Sequence, residues 1–78
     1  MRYWEELIES RRNEDCGCPE EEWNMCGLVV TLHGEGDGTG HVLIDAGDWD
    51  DEFVVSSDDM EFMRNRAREY VKALPEEG

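Results

Sequence analysis

No lysine and no arginine occurs between Asn13 and Met63, a stretch that carries fifteen Asp and Glu. All seven bases lie in residues 2–12 and 64–72, so the formal net charge of −14 is concentrated in the middle of the chain. A field of that sign repels DNA, RNA and anionic membranes, which argues against direct binding to any of them. The partner it favours is a protein that is neutral or basic on its contact face.

Long apolar runs are also missing. None approaches the roughly 20 residues needed to cross a bilayer. Met1-Arg2 leads at once to Trp4-Glu5-Glu6, with no apolar leader or small-residue cleavage motif, so a cytoplasmic protein is expected. Three cysteines are too few, and odd in number, for the disulfide framework of a secreted domain. They fit a reducing compartment, with thiols free or metal-bound. At 78 residues the chain has room for one domain, residues 1–78, around one thin core. So little scaffold leaves scant material for a lidded catalytic cleft.

Residues 3–12 read as a short helix. Trp4, Leu7, Ile8 and Arg11 recur at i, i+3, i+4 and i+7, which puts three apolar side chains on one face. Glu5 and Glu6 come early and Arg11 and Arg12 late, the order the helix dipole prefers. Cys16-Gly17-Cys18-Pro19 ends this element, and Glu20 to Trp23 forms a turn of helix or leads into a strand.

Leu28 to His33 and His41 to Asp45 read as strands joined by the glycine-alternating loop Gly34–Gly40, whose glycines supply positive φ angles. Symmetric pairing sets His33 opposite His41, Leu32 opposite Val42, Val30 opposite Ile44 and Leu28 opposite Ala46. The last three pairs make one fully apolar face, which a one-residue slip would destroy. Phe53-Val54-Val55 is a third strand, reached through the acidic turn Asp45–Glu52 in a meander. A second helix is expected over residues 58–74, with Met60, Met63, Ala67, Val71 and Leu74 as its apolar stripe. Ser57 or Asp58 caps it, Asp58-Asp59-Met60-Glu61 resembles a capping box, and Pro75 stops it. The expected fold is a two-layer α+β domain: helix, three-stranded antiparallel β-meander, helix, with both helices on one face of the sheet.

Three constellations could carry chemistry. Cys16, Cys18 and Cys26 with His33 or His41 have the donor set of a Cys3His zinc site, although C-x-C replaces the usual C-x2-C. The plainer alternative makes Cys26 a buried apolar residue and the other two loop thiols. The two histidines have no nucleophile placed beside them by a motif, so a catalytic role is not expected. The glycine loop lacks the Lys-Ser/Thr of a phosphate loop and carries Glu35 and Asp37, which repel phosphate. Neither Gly36-Asp37-Gly38 nor Asp48-Trp49-Asp50 has the ligand series of a calcium loop.

The acidic block remains. Glu20, Glu21 and Glu22, then Asp48, Asp50, Asp51 and Glu52, then Asp58, Asp59 and Glu61 supply three carboxylate patches, with Trp49 as an apolar anchor. Fixed carboxylates with bases excluded between them can imitate a phosphate backbone, which carries one charge per roughly 1.7 Å of duplex. Small acidic phage-encoded inhibitors, anti-CRISPR and anti-restriction proteins among them, share this size and charge as a likeness of composition. The expectation is a non-enzymatic inhibitor without a cofactor that occupies the basic nucleic-acid-binding surface of a host protein. Its rival is a zinc-stabilised adaptor using Cys16, Cys18, Cys26 and His33. The outer hairpin face, with Val29 and Leu43, offers a surface on which a homodimer could close.

Overall fold

A computed structural model describes residues 2–12, 14–15 and 17–75. Five strands, β1 (Glu5–Arg12), β2 (Pro19–Met25), β3 (Leu28–Gly34), β4 (Gly40–Asp45) and β5 (Asp50–Val55), precede one helix, α1 (Met60–Ala73). The strands form a single antiparallel sheet in the order β1-β2-β3-β4-β5. The expectation of two helices on a three-stranded meander is therefore wrong. The residues assigned to a first helix are strand β1, Pro19–Met25 forms a further strand, and β5 begins at Asp50 inside the expected acidic turn. Among the described residues no helix is long and apolar enough to cross a membrane.

The N-terminal segment escapes its helical spacing because strand geometry splits it. Leu7 pairs with Trp23 on one face of the sheet and Glu6 with Asn24 on the other. Trp4, Leu7 and Ile8, which a helix would stack together, end up 44%, 47% and 51% exposed. The register shifts between Leu7 and Glu9, a bulge that leaves Ile8 without a cross-strand partner. Pairing with β2 fixes the segment as strand, a non-local force that the local i, i+3, i+4 pattern does not reveal.

The turn between β2 and β3 is tight. Cys26 and Gly27 both have positive φ, +55° and +89°, as a two-residue hairpin turn with the twist of its flanking strands demands. The Gly27 N–H is accepted by the Asn24 side chain at 2.9 Å. Beyond it, β3 and β4 pair in the register that the apolar pattern requires, with Val30 opposite Ile44, Leu32 opposite Val42 and His33 opposite His41.

Met25, Val30, Leu32, Val42, Ile44 and Val55 from the sheet meet Met63, Ala67 and Val71 from α1 in one core. Burying a side chain of this size contributes about 1.5–3 kcal/mol, so this single layer carries most of the fold. The helix is held by the spacing of Met63, Ala67 and Val71, which repeat every four residues on one face. Its N-cap is Asp59, whose side chain makes no capping bond, so the expected capping box does not form. Ser57 Oγ instead accepts the Asp59 N–H at 3.1 Å.

The glycine loop uses its glycines differently from the expectation. Only Gly38 among them has a positive φ, +90°. Gly40 is there for space, since a Cβ would overlap the Met63 side chain and stand 2.7 Å from the Ser57 carbonyl. Its bare backbone lets the start of α1 lie directly on the sheet.

Candidate interaction surface

Alternation along the strands sorts every charged side chain onto one of two faces. On the face beneath α1 lie Glu5, Glu21 and Asp51, in register with core residues Met25, Leu32 and Ile44. Each finds a partner there. Arg68 grips Glu5 with two bonds, Nε to Oε1 at 2.6 Å and Nη2 to Oε2 at 2.7 Å. That guanidinium, aided by the Tyr3 hydroxyl, holds the Glu5 carboxyl below its ordinary range. Glu21 accepts from Arg64 Nη1 at 3.1 Å and from the Trp23 indole at 2.9 Å, while the Arg64 guanidinium lies 5.9 Å from a Trp23 ring centroid. Asp51 Oδ2 accepts the Tyr70 hydroxyl at 2.7 Å. Lys72 sits 4.7 Å from the centroid of the Tyr3 ring.

Among the described residues no helix covers the opposite face. Glu6, Glu9 and Arg11 from β1, Glu20, Glu22 and Asn24 from β2, Val29, Thr31 and His33 from β3, His41, Leu43 and Asp45 from β4, and Asp50, Glu52 and Val54 from β5 share it. Arg11 is the one arginine among these strand residues. It stands at the β1 corner and serves Glu9 at 2.6 Å, Glu20 at 3.0 Å and Glu22 at 3.7 Å. The histidines lie between acids: His33 is 3.8 Å from Glu20, and His41 is 3.5 Å from both Glu35 and Glu52. Among the described residues no lysine or arginine reaches Asp45, Asp50 or Glu52. A depression of about 620 Å³ opens here, with Val29, Thr31 and Leu43 as its floor and Glu22, Asp45, Asp50, Asp51 and Glu52 around it.

The three expected carboxylate patches do not converge. Glu20, Glu22, Asp50 and Glu52 share the outer face, but Glu21 and Asp51 point beneath the helix. Asp48 and Trp49 occupy the β4–β5 turn, whereas Asp58, Asp59 and Glu61 lie beyond the opposite end of β5, around the start of α1. One strand length, about 17–20 Å for six residues, separates those two groups. Asp45 belongs to the outer surface and was not among the expected contact residues. Its place follows from the β3–β4 register, which sets it beside Val29 on the mixed hairpin face.

Nor are the proposed zinc ligands brought together. Cys16 lies outside the described residues. Cys18 precedes β2 and Cys26 follows it, so seven strand residues hold them apart by more than 20 Å of extended chain. One tetrahedral ion cannot take both thiols. Among the described residues no group of three or more His, Cys, Asp or Glu has the geometry to hold a metal. Cys26 is instead tied to the N-terminal segment: its backbone N–H donates to the Trp4 carbonyl at 3.0 Å, and its Sγ accepts the Trp4 N–H at 3.4 Å.

No known protein family, characterised protein or solved structure matches this chain.

Proposed function

We propose that this chain is a non-catalytic acidic binding protein acting in the cytoplasm. Its outer sheet face docks on the basic nucleic-acid-binding surface of another protein and displaces the nucleic acid, in the manner of phage-encoded inhibitors of restriction or CRISPR nucleases. The observation that carries this reading is the division of charge between the two faces. The cations of α1 that reach the sheet meet carboxylates or rings beneath the helix, while Asp45, Asp50 and Glu52 stand on rigid strands with no arginine or lysine among the described residues. Carboxylates held on a sheet need no ordering when a basic surface arrives, which lowers the entropic cost of binding. The floor of Val29, Thr31 and Leu43 suits the aliphatic stems of long basic side chains whose heads reach the surrounding acids.

Displacement of labelled duplex DNA from a panel of restriction and CRISPR nucleases tests the reading. The wild-type chain is expected to release DNA from at least one of them. Release should weaken steeply with salt, as the Debye length shrinks from roughly 10 Å at 0.1 M to roughly 3 Å at 1 M. The variant Asp45→Lys/Asp50→Lys/Glu52→Lys should keep its thermal melt and lose most of the displacement, chiefly through slower association. Displacement that ignores both salt and the triple reversal would sink charge mimicry.

A further inference from the structure

The sheet has two open edges, and they differ. On β1 the register is broken by the bulge at Ile8, and the strand carries Arg11 and Arg12. Bulges and bases of this kind blunt an edge against further pairing. Strand β5 has an unbroken register with β4 over all six of its residues.

The phase of the β5 backbone follows from two bonds. The Ala46 N–H donates to the Trp49 carbonyl at 2.9 Å, which makes those two residues a bonded pair. Bonded and non-bonded pairs alternate along an antiparallel ladder. Asp51, Phe53 and Val55 therefore bond to β4, and the N–H and C=O groups of Asp50, Glu52 and Val54 point away from the sheet. The Glu52 N–H agrees, since it is accepted by the side chain of Asp51 at 2.9 Å. Asp50 and Val54 keep outward N–H groups that meet no hydrogen-bond partner among the described residues. Val54 is also 64% exposed, the most open of the large apolar side chains described.

The two sides of this edge differ in chemistry. On the outer face Asp50, Glu52 and Val54 flank it. On the helix face it is bordered by Asp51, whose carboxylate accepts the Tyr70 hydroxyl, and by Phe53, which stacks on Tyr70 with ring centroids 5.5 Å apart. An added strand alternates its side chains between those two environments.

We infer that β5 takes up an extended segment of the partner protein as a sixth strand. Basic side chains of that segment lie beside Asp50 and Glu52, and the alternate apolar ones lie beside Phe53 and Tyr70. The inference rests on the basic-partner reading of the outer face and adds how that partner is held. A second copy of this chain fits poorly, because the edge begins Asp50-Asp51-Glu52 and each chain carries a net charge of −14.

The probe is a short synthetic peptide in which Arg and Val alternate, set against one with the same composition in two blocks. The alternating peptide is expected to bind about tenfold more tightly than the block peptide, and to slow hydrogen exchange at the Asp50 and Val54 amides. Val54→Pro removes one outward N–H and no ladder bond, a change that edge strands accept. It should leave the melt near wild type and weaken the alternating peptide by about tenfold. If that variant unfolds, exchange on the wild-type chain decides: protection at Val54 supports the added strand, and its absence overturns it. Equal binding of the two peptides with no effect of Val54→Pro overturns the edge and leaves the acidic face standing. Undiminished binding of both peptides to Asp50→Lys/Glu52→Lys overturns the acidic face itself. Sedimentation of the protein alone should show a monomer, and a dimer dispersed by Val54→Pro would give the edge to a second copy instead.

Discussion

The face of the sheet beneath α1 and the face turned away from it carry acids in comparable positions, yet they treat them oppositely. Under the helix, Glu5, Glu21 and Asp51 each meet a donor from α1: Arg68, Arg64 and Tyr70. On the outer face one arginine at the corner serves three acids, and Asp45, Asp50 and Glu52 have no lysine or arginine among the described residues. Net charge alone does not locate a binding surface. What singles out a candidate surface is the strand alternation that separates neighbouring acids, together with the helix that supplies cations to one side only. Glu21 and Asp51 sit inside the two densest acidic runs of the sequence and belong to the structural face nonetheless.

The harshest test of this division sets a charge on each face at adjacent positions. Val30 is fully buried in the core, and Thr31 is a half-buried residue on the outer face. Val30→Asp should unfold the domain, because burying an unpaired carboxylate costs several kcal/mol against a total stability of roughly 5–10 kcal/mol. Thr31→Asp should shift the melting temperature by only a few degrees, as expected for a change of about 1 kcal/mol or less in a domain this small. Similar melts for the two variants would mean that the faces are misassigned.

A milder test removes an arginine from each face. Arg68→Met deletes the two-bond grip on Glu5, whose side chain is 21% exposed, and should cost about 1–2 kcal/mol. Arg11→Met, at the exposed corner, should change the melt little. The Glu5 pair also leaves a signature in pH. Its folded carboxyl titrates below the ordinary 4.5, chiefly because Arg68 stabilises the ionised form. Its contribution is therefore complete above the unfolded value and fades as pH falls through the folded one. Wild type should lose stability relative to Arg68→Met as pH drops below about 4.5. Parallel curves for the two proteins would remove the pair from the account.

Much of this division could be read from the residues, and the failures are instructive. The β3–β4 register was legible because only one pairing sets Val30 against Ile44 and Leu32 against Val42. The C-terminal helix was legible because its apolar stripe repeats over four turns. Strand β2 was hidden by Glu20-Glu21-Glu22, a run of weak strand formers whose alternation only becomes visible once Glu21 has an arginine to meet. Strand β1 was hidden by a helical spacing of Trp4, Leu7 and Ile8 that turned out to bury none of them deeply. Half of β5 was taken for a turn because Asp50, Asp51 and Glu52 read as loop. The candidate surface was thus legible as a charge imbalance and illegible as a face, since assignment to a face needs strands that the acids themselves disguised.

The finest test concerns the two tyrosines, whose hydroxyls both donate hydrogen bonds to carboxylates of the helix-covered face. Tyr3 donates to Glu5 Oε1 at 3.0 Å and Tyr70 to Asp51 Oδ2 at 2.7 Å. Burial raises the Tyr3 phenol from 10.0 to about 12, with the bond to Glu5 adding to the effect. The bond to Asp51 raises Tyr70 as well. The chain has only these two tyrosines, so an absorbance titration of the folded protein should show both phenolate steps displaced upward from their ordinary position. In the unfolded chain both phenols ionise at the ordinary value of about 10. The unfolded state therefore sheds protons first as pH rises, and stability falls between about 10 and 12, the window set by Tyr3. Asp51→Ala should return the Tyr70 step towards its ordinary position while Tyr3 stays high. If Asp51→Ala left the titration unchanged, Tyr70 would not be tied to Asp51, and the side chain that covers the Glu52 N–H would have lost its anchor.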